Sequence, residues 1–384
     1  MKYTVIGAGM MGSAVAYDLA TTRPNDEVIL ADIDNKRATN AAHSIGPNVR
    51  GVGLDVNVWE ELLRAFEGNN AVVSAVSYSV NHNITRAAIQ TGVHLCDLGG
   101  NNDVVQKQLS LGEEARANGV TIVPNCGLAP GLINILSMEG AKEFDQIEAM
   151  KLRVGGLPQH PRPPLMYQIV FSVEGLINEY VEKASVIRDG KLMEIDSMSE
   201  LEEIGFNNVG TLEAFSTSGG ISTLTQLLLG RVENLDYKTI RYKGHCEKFK
   251  TLLDLGFASN EPILTGGRLK TNREFFTDLL RRKLDYGDTD LVLARVTIAG
   301  QRDGAQKMLV YELVDYYDDT TKLTSMMRTT AFPTSIIAQM LADGRVTTRG
   351  VLPPEACVPG DAMISELSKR NVKVTKRVTD TRSE

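Results

Sequence analysis

The chain has 384 residues, a length that predicts two or three domains. Hydrophobic residues make up 42% of the chain and charged residues 23%, a balance that excludes wholesale disorder. The net charge of −7 disfavours nucleic acid as the main ligand, because an acidic surface repels phosphate backbones.

The four cysteines are far apart in the sequence, at positions 96, 126, 246 and 357. They form no CxxC pair and no Cys/His cluster at zinc spacing, so we expect neither a disulfide framework nor a metal site. The N-terminus has no signal-peptide pattern, and no window reaches about 18 uncharged apolar residues. We therefore expect a cytoplasmic protein without a membrane segment.

The first third of the chain alternates short apolar strands with helical stretches. Strands are predicted at 3–6, 28–31, 49–55, 71–75, 93–97 and 120–123. Helices are predicted at 13–20, 36–44, 59–66, 83–90 and 104–117. This alternation is typical of an α/β domain with a doubly wound parallel sheet of the Rossmann type, which we place at residues 1–125.

The pattern then changes. Pro130 predicts a helix start. Asp189-Gly190 and Asp303-Gly304 each lie between two extended runs and predict β-hairpins. Residues 126–329 are therefore predicted to form an α+β domain on an antiparallel or mixed sheet. Residues 330–384 open with a helix that has Pro333 near its start; we expect them to pack back on the first domain and to end in a mobile polar tail after Val374.

A glycine-rich loop, Gly7-Ala8-Gly9-Met10-Met11-Gly12, follows the first strand and precedes the first helix. In this context each glycine has a physical role. Gly7 permits the tight turn, Gly9 lets the backbone approach a pyrophosphate, and Gly12 allows close helix–strand packing. The loop, including Met10 and Met11, is predicted to bind a dinucleotide, with the two methionine side chains serving as packing.

Asp32 lies 20 positions after Gly12, at the end of the second predicted strand. A carboxylate at that position accepts hydrogen bonds from the adenosine ribose and repels a 2′-phosphate, which favours NAD over NADP. Arg37 is close enough in sequence to weaken that preference, although a solvated helix charge is its simpler interpretation.

Several strings resemble the saccharopine dehydrogenase family. They are AVSY (75–78), VHLCDLGG (93–100), PNCGLAPGLIN (124–134), VGGLP (154–158), FSVEG (171–175), LEAFSTSGG (212–220) and TIRYKGH (239–245). The resemblance covers residues 1 to about 361 and is closest to the lysine 6-dehydrogenase branch. Asn125 is one departure, since an aspartate is expected there in close relatives.

The resemblance implies NAD-dependent oxidation of the terminal amine of lysine, a small amino-acid substrate, to an imine. Hydrolysis of that imine gives ammonia and a semialdehyde, which cyclises. The resemblance also implies a homodimer or a higher homo-oligomer. Two alternatives stay open: a saccharopine-type dehydrogenase acting on a secondary amine, and a catalytically silent dinucleotide-binding sensor. The first has a substrate with three carboxylates, for which Arg153 and Arg162 are candidate cations.

Three candidate residues follow predicted strands at the edge where open α/β sheets bind ligands. Ser77 is predicted to contact the cofactor and Tyr78 to contact the nicotinamide ribose or the substrate, unless both are ordinary loop residues. Asp97 is predicted to hold the substrate amine; its alternative role is a cap for the helix that begins near Asp103.

The other candidates lie in the second domain. By resemblance, Arg241 pairs with the substrate carboxylate, and an ion-paired surface arginine is the alternative. His245 is predicted to be the general base, because its ordinary pKa is near neutral; local backbone bonding is its alternative. Glu174 is either a substrate ligand or a first-turn glutamate. Thr217 and Ser218, beside Gly219-Gly220, are predicted hydroxyl donors to the substrate.

Overall fold

The computed structural model describes residues 1–265 and 268–381, which divide into two units. Unit 1 comprises Met1–Lys142, Ile221–Leu224 and Met327–Lys373. Unit 2 comprises Glu143–Gly220, Thr225–Met326 and the chain from Val374 onward. The first unit therefore extends beyond residue 125. The segment 330–384 was predicted to pack on it, but only the part up to Lys373 belongs to unit 1, and the chain from Val374 belongs to unit 2.

The chain up to residue 142 alternates strands and helices. The strands are β1 (Lys2–Ile6), β2 (Glu27–Asp32), β3 (Val49–Gly53), β4 (Ala71–Ser74), β5 (His94–Asp97) and β6 (Thr121–Val123). The helices are α1 (Met10–Thr22), α2 (Asn35–Ile45), α3 (Trp59–Phe66), α4 (Asn81–Thr91), α5 (Asn102–Leu109), α6 (Gly112–Ala117) and α7 (Leu132–Ala141). A short 3₁₀ turn, Tyr78–Val80, lies between β4 and α4.

Unit 2 is built mainly of longer strands. The strands of its central stretch are β7 (Gln146–Pro158), β8 (Ala184–Arg188), β9 (Lys191–Ile195), β10 (Glu202–Phe206), β11 (Gly210–Ser216), β12 (Val232–Arg241), β13 (Pro262–Thr265), β14 (Arg268–Thr271), β15 (Asp290–Arg302) and β16 (Ala305–Tyr316). The helices are α8 (Val173–Val181), α9 (Leu224–Leu228), α10 (His245–Asp254) and α11 (Asn272–Leu284).

The last part of the chain contributes to both units. It contains α12 (Ser325–Ala342), β17 (Gly350–Val351), α13 (Pro354–Cys357), α14 (Gly360–Lys369) and β18 (Val374–Thr381). β17 adds to the sheet of unit 1, whereas β18 pairs with β16 in unit 2. The end of the chain was predicted to be a mobile polar tail; that prediction is wrong for 374–381, which form a paired strand.

Unit 1 has a seven-stranded parallel sheet in the order β17-β6-β5-β4-β1-β2-β3. The strands are apolar because helices cover both faces of a parallel sheet. Ile6, Val72 and Leu95 are buried and pack with Leu62 and Phe66 of α3. The strand order reverses between β1 and β4, and such a switch point is where open α/β sheets bind ligands.

Unit 2 has a mixed nine-stranded sheet whose main path runs β10-β11-β12-β7-β15-β16-β18. Its described pairs are antiparallel except β12 with β7. Phe215 packs with α8, α10 and α11 on one face, whereas Leu212 and Ala214 pack into a separate core on the other. The predicted fold class, a Rossmann-type sheet followed by an α+β domain, is confirmed.

The two β-hairpins predicted from Asp-Gly pairs are confirmed, because these residues favour the positive φ angles of tight turns. Asp189-Gly190 joins β8 to β9 and Asp303-Gly304 joins β15 to β16, all four residues having positive φ. The prediction of a single helix at 104–117 is wrong, because Ser110 and Leu111 are not helical and separate α5 from α6. Pro333 lies inside α12 instead of near its start. Within the described residues, no helix is long and apolar enough to cross a membrane.

Candidate active site

Two glycines of the loop between β1 and α1 are required by close packing. Gly7 has a φ of +101°, and a Cβ atom added there would lie 2.7 Å from the Ala75 carbonyl oxygen. A Cβ on Gly12 would lie 1.7 Å from the Gly7 carbonyl oxygen. A side chain at Gly7 would clash with the chain after β4, and one at Gly12 with the loop itself. The positive φ of Gly7 fits the tight turn predicted for it, and the clash at Gly12 fits its predicted packing role.

Gly9 is different, because a Cβ atom added there would meet no atom within 4 Å. It is the N-cap residue of α1 and gives the helix no side-chain cap. An uncapped helix N-terminus with room beside its backbone fits a pyrophosphate, which is stabilised by backbone N–H groups and the helix dipole. Met11 is half-buried, but the Met10 side chain is 60% exposed, so its predicted packing role is wrong.

Asp32, at the end of β2, is buried and is bonded to the glycine loop. Its Oδ2 accepts a hydrogen bond of 2.8 Å from the Ala8 N–H, and its Oδ1 accepts one of 2.9 Å from the Asp34 N–H. The Arg37 guanidinium lies 3.8 Å from Oδ2. Arg37 is thus an ion partner of the ribose-binding candidate, and its cation partly offsets the charge that would repel a 2′-phosphate.

Ser77 and Tyr78 follow β4, the strand beside β1, and are exposed in the short 3₁₀ turn. Ser77 Oγ caps that turn by accepting from the Ser79 N–H. The Tyr78 ring lies against Gly100, where an added Cβ would come within 3.0 Å of Tyr78 Cδ1. Both side chains therefore lie at the ligand-binding edge that was predicted for them, and their contacts with a ligand stay a prediction.

Asp97 ends β5 and is fully buried, which raises the pKa of its carboxyl group. Its Oδ1 accepts from the N–H groups of Gly99 at 2.7 Å and Asn125 at 3.4 Å, and its Oδ2 accepts from Gln108 at 2.7 Å. Each Asp97 oxygen accepts from a protein donor, as each Asp32 oxygen does, and keeps further acceptor capacity, so the contact with the substrate amine stays a prediction. Its alternative role is wrong, because Asn101 caps α5.

Arg241 lies at the end of β12 and is buried without a carboxylate partner. Its Nε donates to Tyr180 Oη at 2.9 Å, and a terminal nitrogen donates to the Ile240 carbonyl at 2.9 Å. The guanidinium carbon lies 4.7 Å from the centre of the Tyr167 ring. In 1–265 and 268–381, no carboxylate is within ion-pair distance of Arg241. A buried arginine without an acid is a strong site for a ligand carboxylate.

His245 begins α10 and is fully buried beside Arg241. Its Nδ1 is 2.8 Å from the Leu165 carbonyl oxygen and its Nε2 is 3.1 Å from Tyr180 Oη. Burial, followed by the Arg241 charge, lowers the pKa of His245 to about 3. The prediction that it is a general base titrating near neutral pH is therefore wrong; its alternative, local bonding, is closer to what the structure shows.

The two predicted hydroxyl groups follow β11. Thr217 Oγ1 is 2.7 Å from Thr239 Oγ1, and Thr239 lies two residues before Arg241 on the same face of β12. Ser218 Oγ is 3.5 Å from the Asn178 carbonyl and 3.4 Å from Glu182 Oε2. Thr217 is thus linked through Thr239 to the face of β12 that carries Arg241, whereas Ser218 contacts α8 and Glu182; the contacts of both residues with a substrate stay a prediction.

Glu174 does not join this group. It lies in the first turn of α8, where Ser172 Oγ donates to it, and its carboxylate is 3.2 Å from an Arg281 nitrogen. More than half of its side chain is exposed, at 57%. The prediction that Glu174 binds substrate is therefore not supported, and the first-turn alternative describes its position.

Glu179 was not predicted. It directly precedes Tyr180 on α8, is half-buried, and its carboxylate makes no hydrogen bond or ion pair with the described residues. Burial raises the pKa of Glu179 to about 7, an effect that Arg241 partly offsets. Its sequence signal is weak: Glu179 borders the buried positions Leu176 and Tyr180 of an amphipathic helix, as many surface glutamates do.

A Rossmann-type sheet with a glycine-rich loop before an uncapped helix N-terminus is typical of NAD(P)-dependent oxidoreductases. Residues 3–123 match the model of the saccharopine dehydrogenase NADP binding domain, and residues 127–372 match that of the saccharopine dehydrogenase C-terminal domain. The chain belongs to the saccharopine dehydrogenase family, whose oxidoreductases act on CH–NH groups.

Named relatives and a solved structure agree with this family. Saccharopine dehydrogenase [NADP(+), L-glutamate-forming] of Schizosaccharomyces pombe is 22% identical over 87% of this chain and 90% of its own length. The mitochondrial alpha-aminoadipic semialdehyde synthase of Mus musculus is 23% identical over 92% of this chain, which spans 45% of that protein. Apo saccharopine dehydrogenase (L-Glu forming) from Saccharomyces cerevisiae has the same fold, with a TM-score of 0.83 at 20% identity over 98% of this chain and 99% of that one.

Proposed function

We propose that this protein catalyses the NAD-dependent oxidative deamination of the terminal amine of L-lysine. The amine carbon loses a hydride and its nitrogen loses a proton, which gives an imine. Water then displaces ammonia and leaves a semialdehyde, which cyclises onto the α-amine. When bound, the dinucleotide supplies the hydride acceptor. Its pyrophosphate is assigned to the backbone around Gly9 and its adenosine ribose to Asp32.

The observation that carries the proposal is the environment of Arg241. A buried guanidinium with no acidic partner fits one substrate carboxylate, and lysine has one. Saccharopine has three carboxylates and needs more cations. Arg153 was a candidate for that role, but it bonds Glu202 and Asp236, the latter at 2.6 Å.

Sheet geometry also separates Arg153 from Arg241. Arg153 is paired in register with Lys238, whereas Arg241 is an odd number of residues further along β12. Successive side chains of a strand point to opposite faces, so Arg153 belongs to the face opposite Arg241. Arg162, the other candidate, is exposed and stacks on Tyr286 at 4.4 Å. Both observations favour a substrate with a single carboxylate.

Asp32 supports NAD as the dinucleotide. Its buried carboxylate at the end of β2 suits the two hydroxyl groups of an unmodified ribose. Arg37, 3.8 Å away, is the feature that would permit some use of NADP. We therefore propose a preference for NAD with measurable NADP activity.

A saccharopine-type dehydrogenase is the second candidate, and it is favoured by the relatives that are saccharopine dehydrogenases. A dinucleotide-binding sensor without turnover is the third function that the sequence left open. These candidates differ in what the protein consumes, so a substrate panel separates them.

The test is the initial rate of reduced-dinucleotide formation with L-lysine, saccharopine or no amine, each with NAD and with NADP. We expect lysine with NAD to give the highest kcat/KM and saccharopine to give no turnover. Turnover of saccharopine but not lysine would replace the proposal with the second candidate. Tight dinucleotide binding without turnover of either amine would support the sensor.

A further inference from the structure

Two opposite charges in unit 2, Arg241 and Glu179, act on each other electrostatically, yet neither has an ion-pair partner among the described residues. Arg241 is buried and unpaired, as is stated above, and the Glu179 carboxylate makes no hydrogen bond or ion pair within residues 1–265 and 268–381. Tyr180, the next residue after Glu179 on α8, accepts a hydrogen bond from Arg241 Nε at 2.9 Å, so the same turn of α8 that carries Glu179 is bonded to Arg241.

The loop after β11 makes room beside Glu179. Ser218 N–H donates to the Glu179 carbonyl at 3.0 Å, which fixes the loop against α8. Gly219 has a φ of +87°, and a Cβ added there would be 4.0 Å from Glu179 Cγ. A Cβ on Gly220 would lie 2.3 Å from the Tyr237 ring. Gly220 is thus required by the Tyr237 ring, and Gly219 places the loop backbone beside the Glu179 side chain without adding a side chain there.

We propose that Glu179 binds the α-ammonium group of the amino acid whose α-carboxylate is bound by Arg241. The two residues then hold the zwitterionic head of the substrate, and the side chain that carries the reacting amine extends away from them. This assignment rests on the proposed function and adds a specificity residue to it. It makes Glu179 a selector for α-amino acids over simple amines.

The charge balance around Glu179 supports this assignment. The charged groups that act on it are Arg241 of β12, which favours the ionised form, and Glu182 at the end of α8, which opposes it. Tyr167, Tyr180 and Tyr237 add no charge at physiological pH, because the ordinary pKa of tyrosine is about 10 and burial raises it further. The pKa of Glu179 in the free protein is about 7, and a bound ammonium would lower it by stabilising the carboxylate.

The experiment compares L-lysine with 6-aminohexanoate, which keeps the carboxylate and the terminal amine but lacks the α-amine. The ratio of their kcat/KM values is measured in the unaltered protein, in Glu179→Gln and in Glu174→Gln. Glu174→Gln is the matched control, because it removes a carboxylate from the exposed face of the same helix. We expect Glu179→Gln to reduce the preference for lysine by about 10- to 100-fold, mainly through KM, and the control to retain it.

Other results would overturn the assignment. Equal losses with both substrates and an unchanged ratio would make Glu179 a group that acts on the terminal amine. An unchanged ratio with no loss would give it no role in substrate binding. If the unaltered protein does not turn over lysine, the proposed function itself fails, which is a different outcome from lysine turnover with an unchanged ratio.

A measurement on the unaltered protein keeps the inference testable if the Gln variant does not fold. The carboxylate binds an ammonium only when ionised, so the KM for lysine should fall as pH rises through about 7. The KM for 6-aminohexanoate should not fall in this pH range, because that substrate has no α-amine. The same step with both substrates would contradict the role of Glu179 at the α-amine.

Discussion

Arg241, Tyr180 and His245 form a directional chain of hydrogen bonds. Arg241 Nε can only donate and the Leu165 carbonyl can only accept, so the Tyr180 hydroxyl donates to His245 Nε2 and His245 Nδ1–H donates to Leu165. Burial and the Arg241 charge lower the pKa of His245 to about 3, so the ring is neutral near pH 7, and of its two neutral tautomers only Nδ1–H satisfies all three bonds. We therefore expect His245 to position the arginine through Tyr180.

This role predicts the behaviour of His245→Ala. Tyr180 would lose its acceptor, and a buried hydrogen bond is worth about 1–3 kcal/mol. We expect kcat/KM for lysine to fall about 10- to 100-fold, mostly through KM, with the shape of the pH profile near neutral pH unchanged. Tyr180→Phe should give a loss of similar size. A rising limb that flattens in His245→Ala would restore the histidine as a general base.

Residues differ in how well the sequence reveals them. The positive φ of Gly7 and the contact between Gly12 and Gly7 are made by neighbours in the chain, so local spacing reveals both glycines; only the contact of Gly7 with Ala75 depends on the fold. The pKa of His245 is set by burial and by Arg241, a contact made by the fold of unit 2, so its ordinary pKa was misleading. Glu179 was missed because a glutamate on an amphipathic helix has no distinctive pattern.

At the scale of elements, the packing between β1 and α1 predicts different effects for alanine substitutions at Gly9 and at Gly12. Gly9 has room for a Cβ and a φ of −79°, so Gly9→Ala should fold with a stability within about 1 kcal/mol of the original. It should nevertheless lose dinucleotide affinity by at least about tenfold, because the methyl group occupies the place assigned to the pyrophosphate.

Gly12→Ala, in contrast, should mainly reduce the stability of the protein. Its methyl group would clash with the Gly7 carbonyl, and overpacking of this kind costs about 1–3 kcal/mol. Urea unfolding and titration with NADH, followed by fluorescence, measure both properties. A stable Gly9→Ala protein with full dinucleotide affinity would show that the pyrophosphate does not lie against Gly9.

Secondary-structure elements were predicted well where the turn between them contains residues that favour its backbone angles. Asp189-Gly190 and Asp303-Gly304 favour positive φ at both residues, so both hairpins could be located from the sequence. The division of 104–117 into α5 and α6 has no such signal, since Ser110 and Leu111 interrupt no apolar pattern. Strand β18 was missed because its polar side chains suggest a solvated tail, whereas its backbone pairs with β16.

For the whole molecule, the family fixes the cofactor class and the CH–NH chemistry but leaves the substrate open. The homo-oligomer expected from the resemblance stays a prediction. The choice of lysine rests on one buried arginine without an acid, and on Arg153 being ion-paired on the opposite face of the sheet. Both features come from tertiary contacts, so the sequence alone could not have distinguished lysine from saccharopine by counting arginines.

The central claim is that the terminal nitrogen of lysine leaves as ammonia. L-Lysine labelled with ¹⁵N at the ε-nitrogen tests it most directly, with NAD and with mass detection of the ammonia and of the cyclised product. We predict that the ammonia carries the label, in one-to-one ratio with NADH, and that the cyclic product does not. Unlabelled ammonia would place the oxidation at the α-carbon, and NADH without ammonia would contradict deamination altogether.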